Sequence, residues 1–271
     1  MLKEECMEDF SKYNPEGSTL RKTQHRMVNI LSCVAAILDK HKIPYFLHGG
    51  TLLGAVRHGG FIPWDDDLDI AVLWNDIPKI REILQSELPE NMCYQDITTD
   101  YNYPMIISKV RDKKSIFDDP YSKRIKDRGI YIDLIPIEEV VAQKIKDSID
   151  FVYIRSIRGI HNYSDRFIEK LLGYICYPFA VSAIFICRLW VKFFHTHKWG
   201  NTYGWKTPKH FKEEDIFPLR TIVFEGEAFA SPANPDKFLT TNYGDYMQIP
   251  PEDKRITHLA KITFLDEEQK Q

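Results

Sequence analysis

Gly49 and Gly50 end a short apolar run, and the acidic stretch Asp65-Asp66-Asp67-Leu68-Asp69 follows within twenty residues. Glycines at the head of a helix let backbone N–H groups approach a phosphate closely, and the helix N-terminus adds partial positive charge. Nearby carboxylates hold the divalent ions that neutralise such a phosphate. This combination is what a metal-dependent nucleotide site requires. Asp67 and Asp69 alternate with Leu68, Ile70 and Val72, the period of a half-buried strand, which puts both carboxylates on one face roughly 7 Å apart at Cα. Asp65 and Asp66 come directly after Pro63-Trp64, where the chain is still turning, and are expected to flank the site or face solvent. A third acid, Asp133, stands alone in the apolar run Tyr131–Pro136. Burying a lone carboxylate is costly unless it is paired or metal-bound, so Asp133 is expected to join the other two. It lies 64 residues beyond Asp69, a separation only a folded sheet can close. Asp65, Asp67, Asp69 and Asp76 also fit positions 1, 3, 5 and 12 of a calcium loop, but that loop needs glycine where this chain has Ile70.

The elements that must position these residues follow from periodicity. Leu20, Met27, Ile30, Leu31, Val34, Ile37 and Leu38 have helical spacing over 18–40, with Ser18 or Thr19 as N-cap. Ile43–Leu47 reads as a strand, and Thr51–His58 as a short helix closed by Gly59-Gly60. Asn75–Leu88 is helical, while Met105–Val110 and Gly129–Ile137 read as strands. Val223–Pro232 forms a hairpin turning at Glu225-Gly226, and Lys237–Asn242 a helix before the tandem prolines Pro250-Pro251. The expected organisation is a catalytic core over 1–140, a helical insertion over 141–212 and a part over 213–271 that completes the first domain.

With 271 residues and 44% hydrophobic content, the chain can bury one large core or two modest ones. Its 36 basic and 39 acidic residues nearly balance, which removes the global positive field that non-specific nucleic-acid binding relies on; no nucleic-acid partner is expected. Five scattered cysteines without zinc spacing point to free thiols in a reducing compartment. The acidic start MLKEECMEDFSKYN does not resemble a secretory signal, so a cytoplasmic location is expected. Leu171–Cys187 contains 17 uncharged residues. Three readings stand for it: a membrane crossing, a helix lying on the inner face of the cytoplasmic membrane, suited by Arg166, Lys170, Arg188 and Lys192 on its flanks, or a buried helical hairpin.

The order hydrophobic-Gly-Gly, Asp-hydrophobic-Asp and a distant third Asp is similar to the nucleotidyltransferase superfold shared with DNA polymerase beta. The run Gly50–Ile70, GTLLGAVRHGGFIPWDDDLDI, resembles the defining block of the LicD family, phosphocholine transferases of bacterial surface glycans and the related fukutin proteins. The YIDLIP strand, Asp215–Pro218 and the Tyr243–Arg255 block extend the resemblance over about residues 20 to 258. It implies an α+β fold, a DNA polymerase beta-like mixed sheet flanked by helices with a helical insertion. It also implies transfer of a phospho-alcohol from a CDP-linked donor to a glycan, or a lipid-linked glycan acceptor, with Mg²⁺, or Mn²⁺ in its place. On that reading Asp67, Asp69 and Asp133 hold the metal, and Asp133 also accepts the acceptor hydroxyl's proton or holds it through the metal. Gly49, Gly50 and Thr51 contact phosphates, with Arg57 and Lys109 as additional contacts. Trp64 and Tyr131 either stack on the cytosine or line a choline pocket, or pack in the core. His48 and His58 either serve the site or only pack and cap. Two rival functions are transfer of the nucleotide itself to a small acceptor, and a non-catalytic binding module that keeps the fold.

Overall fold

The computed structural model describes residues 9–268 apart from 104, 119–123, 161–165, 208, 256 and 258–260. In chain order the elements are α1 (Thr19–Lys40), β1 (Tyr45–Leu47), α2 (Gly49–His58), β2 (Asp69–Leu73), α3 (Ile77–Glu87), β3 (Met92–Gln95), β4 (Ser108–Asp112), β5 (Ser115–Asp118) and β6 (Tyr131–Glu139). There follow α4 (Gln143–Ile160), α5 (Phe167–Phe194), β7 (Lys198–Asn201), β8 (Phe211–Lys212), α6 (Glu213–Ile216), β9 (Arg220–Phe224), β10 (Glu227–Ser231), α7 (Pro235–Tyr243), β11 (Lys261–Phe264) and α8 (Leu265–Glu268).

The main sheet has the order β1-β2-β6-β4-β3, with β7 beside the far half of β6 and β8 beside β7. It is mixed: β2 runs parallel to β6, and the other pairs are antiparallel. β6 is central because Ile132, Leu134, Ile135 and Ile137 are all buried, the near-continuous apolar run of a strand covered on both faces. α1 covers the sheet with the apolar stripe that includes Met27, Ile30, Leu31, Val34 and Leu38, all fully buried. The Ser18 hydroxyl caps it by accepting from the Arg21 N–H at 3.2 Å. Residues 198–212, expected within the helical insertion, return to the main sheet as β7 and β8; the helices of the insertion end at Phe194. The β9–β10 hairpin turns at Glu225-Gly226, both at positive φ, and the Glu225 carboxylate accepts from Arg21 at 2.7 Å and from the Phe61 N–H at 3.0 Å.

α4 and α5 form an antiparallel hairpin whose helices approach closely at Gly159 and Gly173. A Cβ on Gly159 would lie 2.5 Å from the Glu169 carbonyl oxygen, and one on Gly173 would lie 2.9 Å from that of Ser156. Gly173, Ala180, Ile184 and Val191 form the buried stripe of α5. Most of the large apolar side chains of that helix are exposed, among them Phe167, Phe179, Phe185 and Phe193, so the reading of 171–187 as a buried hairpin does not hold: one stripe of side chains covers only about a third of a helix's circumference.

Candidate active site

Strand register assembles the site. Asp69 on β2 is paired with Asp133 on β6, and Asp133 with Lys109 on β4. Directly paired residues of adjacent strands share a face, so two acids and one lysine stand in one row across three strands. The 64-residue gap between the acids closes to neighbouring strands, and the Asp133 N–H donates to the Leu68 carbonyl at 2.8 Å. The Lys109 ammonium forms a buried ion pair with Asp133 and lies 3.5 Å from the Tyr131 ring centroid. Burial lowers the Lys109 pKa, and the Asp133 charge opposes that shift.

α2 aims its first turn at the acids. It starts at Gly49, two residues earlier than periodicity alone indicates, and Gly49 takes φ +55°, the left-handed region that favours glycine. A Cβ there would lie 2.8 Å from Asp69 Oδ2; at Gly50 it would lie 2.8 Å from Asp65 Oδ2 and 3.9 Å from Asp67 Oδ1. The glycines are therefore the contact surface between helix and carboxylates. Thr51 fixes the alignment, its Oγ1 accepting from the Asp69 N–H at 2.8 Å. Gly49→Ala is expected to cost about 1–3 kcal/mol of stability from backbone strain and to displace the Asp69 carboxylate. Activity should fall by two orders of magnitude or more, and a variant with near-parental turnover would contradict this placement.

The structure refines the expectations about the clustered acids. β2 begins at Asp69, so Asp67 precedes the strand and is exposed; the turn after Pro63 extends further than the alternation of residues suggests. Asp67 reaches the site through the loop. Asp65, expected to flank the site or face solvent, faces Gly50, and the buried Gln24 side chain donates to its carbonyl at 2.9 Å. Burial, then the charges of Asp67 and Asp66, push its carboxyl pKa up to about 8. Asp66 is buried, so of the two readings for it the solvent-facing one does not hold. Asp69 is held well above the usual carboxylate range by burial first, then by Asp67 and Asp133.

A residue that sequence reasoning missed is Tyr243, at the end of α7. Nearly half its surface is exposed, yet burial at its hydroxyl end, followed by the charges of Asp69, Asp65 and Asp67, raises its pKa. Only its place in the Tyr243–Arg255 block could have drawn attention to it.

Other expected contacts lie elsewhere. Arg57, near the opposite end of α2, donates to the Tyr246 carbonyl at 2.8 Å and to His58 Nε2 at 3.0 Å. Eight residues of helix put it about 12 Å along the axis from Gly49. Trp64 is buried against Phe10, Tyr13 and His58, with the Arg255 guanidinium 5.2 Å from its centroid. Both residues brace the C-terminal segment against the core and do not line the row of acids. His48 packs among Phe46, Phe211 and Phe238 and makes no side-chain cap.

Burial lowers the His48 pKa to about 4. The unfolded chain then binds a proton that the folded chain refuses between about pH 6.5 and 4, so the His48 contribution is complete above pH 6.5 and is lost as pH falls toward 4. The loss is on the order of 3 kcal/mol. His48→Phe is expected to flatten unfolding free energy against pH relative to the parent chain across that window; parallel profiles would show that the folded imidazole is freely protonated.

Asp65, Asp67, Asp69 and Asp133 are hard oxygen donors in mutual repulsion, the donor type that suits Mg²⁺. Among the described residues no three acidic, histidine or cysteine side chains converge on a single metal position, and Lys109 holds Asp133. The donor set fits a divalent ion in chemistry.

Residues 42–171 match the family model described as LicD/FKTN/FKRP, nucleotidyltransferase domain, and the chain carries a LicD-family domain. Among its relatives is the lipopolysaccharide cholinephosphotransferase LicD of Haemophilus influenzae, 29% identical over 269 residues, covering 91% of this chain and 98% of that protein. The ribitol 5-phosphate transferase FKRP of Homo sapiens is 39% identical over 54 residues, 20% of this chain and 11% of that protein.

Proposed function

We propose that the protein is a transferase of the LicD type that moves a phospho-alcohol, phosphocholine in the first instance, from a CDP-linked donor to a sugar hydroxyl of a cell-surface glycan or its lipid-linked precursor. The observation that carries this reading is the row Asp69–Asp133–Lys109 on three neighbouring strands, faced by the Gly49-Gly50 turn of α2. Similarity along nearly the whole length of a cholinephosphotransferase supports the choice of phosphocholine. The arrangement is also that expected of a nucleotidyltransferase-like superfold.

The acceptor oxygen attacks the phosphorus that carries the alcohol, the bond from that phosphorus to the bridging oxygen breaks, and CMP leaves with that oxygen. On this reading Asp133 takes the hydroxyl proton, and Lys109 beside it stabilises phosphate charge. The N–H groups of the first turn of α2 face the same space and suit an anion. Asp67, Asp69 and Asp133 would hold Mg²⁺, which when bound neutralises the pyrophosphate and the leaving CMP. The Tyr243 hydroxyl lies within the field of Asp69, Asp65 and Asp67.

The test is incubation of the purified chain with CDP-choline, CDP-ribitol, CDP-glycerol and CDP-ethanolamine, each labelled in the alcohol, with a glycan acceptor. CMP release and label on the glycan are expected, both abolished by EDTA and restored by Mg²⁺. Label staying in solution while the nucleotide joins the acceptor would mean transfer of the nucleotide itself. No turnover of any donor would leave a binding module.

A further inference from the structure

We propose that the α4–α5 hairpin docks flat on an anionic bilayer, with the outer face of α5 among the acyl chains and the exposed basic residues of the hairpin, such as Arg155, Arg158, Arg166 and Lys192, among the head groups. α5 exposes Phe167, Phe179, Phe185, Ile186, Trp190 and Phe193, each more than half accessible, and no charge interrupts it from Leu171 to Cys187. A contiguous apolar surface of this length is far more than a water-facing helix carries. Among the described residues it is the one helix apolar and long enough to cross a membrane, and 28 residues extend about 42 Å, so length alone does not separate crossing from lying flat.

Topology separates them. α4 leaves the sheet after β6, and α5 returns to it through β7, which pairs antiparallel with β6 at Glu139 and Trp199. Both feet of the hairpin stand on one sheet, so α5 can cross only if the return path through α4 crosses as well. α4 carries six charged residues in eighteen, among them the buried pair Lys146–Asp150, each expensive in hydrocarbon. A surface position needs none of them to enter the acyl region.

Charge selects the partner. Residues 143–194 hold eight basic and four acidic side chains, while the rest of the chain holds 28 basic and 35 acidic. A net positive hairpin on a net negative body is drawn to an anionic leaflet, whereas a symmetric contact with a second copy would face these positive surfaces against each other. The Arg188 guanidinium donates to both Glu138 oxygens at 2.7 and 2.8 Å and lies 4.0 Å from the Trp74 ring centroid. This clamp couples the docked helix to the strand that carries Asp133, five residues and roughly 17 Å away along β6. The bearing on a lipid-borne acceptor rests on the transfer reading above; the docking itself does not.

The full chain is to be mixed with phosphatidylcholine vesicles, with and without phosphatidylglycerol, and floated on a density gradient. Flotation with the anionic vesicles is expected, reduced by high salt and released by alkaline carbonate. Phe179→Glu/Phe185→Glu, both exposed, should lower the bound fraction at least tenfold with an unchanged melting temperature, and Lys170→Glu/Lys192→Glu should weaken binding to the anionic vesicles. Failure to float, flotation undiminished in both variants, retention through carbonate, or a dimer that the phenylalanine variant dissociates would each overturn the proposal. Donor turnover in solution is read separately, so loss of docking and loss of chemistry are distinct results.

Discussion

Asp69→Asn is expected to lower donor turnover by on the order of 10³-fold, with a melting temperature equal to or above that of the parent chain. The two effects have one cause. Asp69 is half-buried and faces Asp67, Asp133 and Asp65, which together with burial raise its pKa well above normal; its charge is unfavourable to the fold in the absence of a bound cation. The amide removes that repulsion while keeping the shape, and the Thr51 contact to the Asp69 backbone N–H is untouched. Sites kept for chemistry commonly cost stability in this way. Steady-state turnover of CDP-choline alongside a thermal melt checks both halves. A melt several degrees below the parent would show that the charge holds the structure together, and turnover within a few-fold would remove Asp69 from the mechanism.

The second large effect concerns the Lys109–Asp133 pair. Lys109→Met leaves a buried carboxylate without its partner, which typically costs about 3–5 kcal/mol. Lys109→Met/Asp133→Asn removes both charges and should recover most of that stability, yet activity should be absent from the single and the double variant alike. A structural ion pair would instead return activity together with stability. Denaturant unfolding and donor turnover measured on the same samples separate the two. Asp133→Asn should also cost far more activity than Asp66→Asn, because Asp66 is not in the strand row; equal losses would overturn the assignment of Asp133.

The parts of the fold visible in the residue pattern are those dictated by local physics. The seven-residue recurrence of apolar side chains in α1, with Ser18 before it, specifies a capped amphipathic helix at Thr19. Gly59 closes α2 in the left-handed conformation expected of a helix-terminating glycine. The isolated acid in the YIDLIP run marks Asp133 as paired, because a lone buried charge is too costly to keep. Misjudged positions depended on neighbours distant in sequence. Alternation cannot tell a strand from the end of a turn, so Asp67 reads as part of β2 although pairing begins at Asp69. For Asp65 a flanking and a solvated reading both stand, because nothing local shows that Gly50 and Gln24 approach it. Arg57 reads as a phosphate contact because its sequence position does not show that it lies at the far end of α2 beside Tyr246.

The residue types of the site, a glycine pair, a carboxylate series and a lysine, and the kinship they indicate are legible without the fold, because these are properties of short segments. So is the fact that 171–187 is apolar enough for a bilayer. Tertiary structure alone decided which acids stand in one row, through strand register between β2, β6 and β4. It decided that α5 presents its apolar surface outward while both ends of its hairpin stay on one sheet. Register and exposure arise from pairing between segments tens of residues apart, and no local pattern encodes which partner each segment meets.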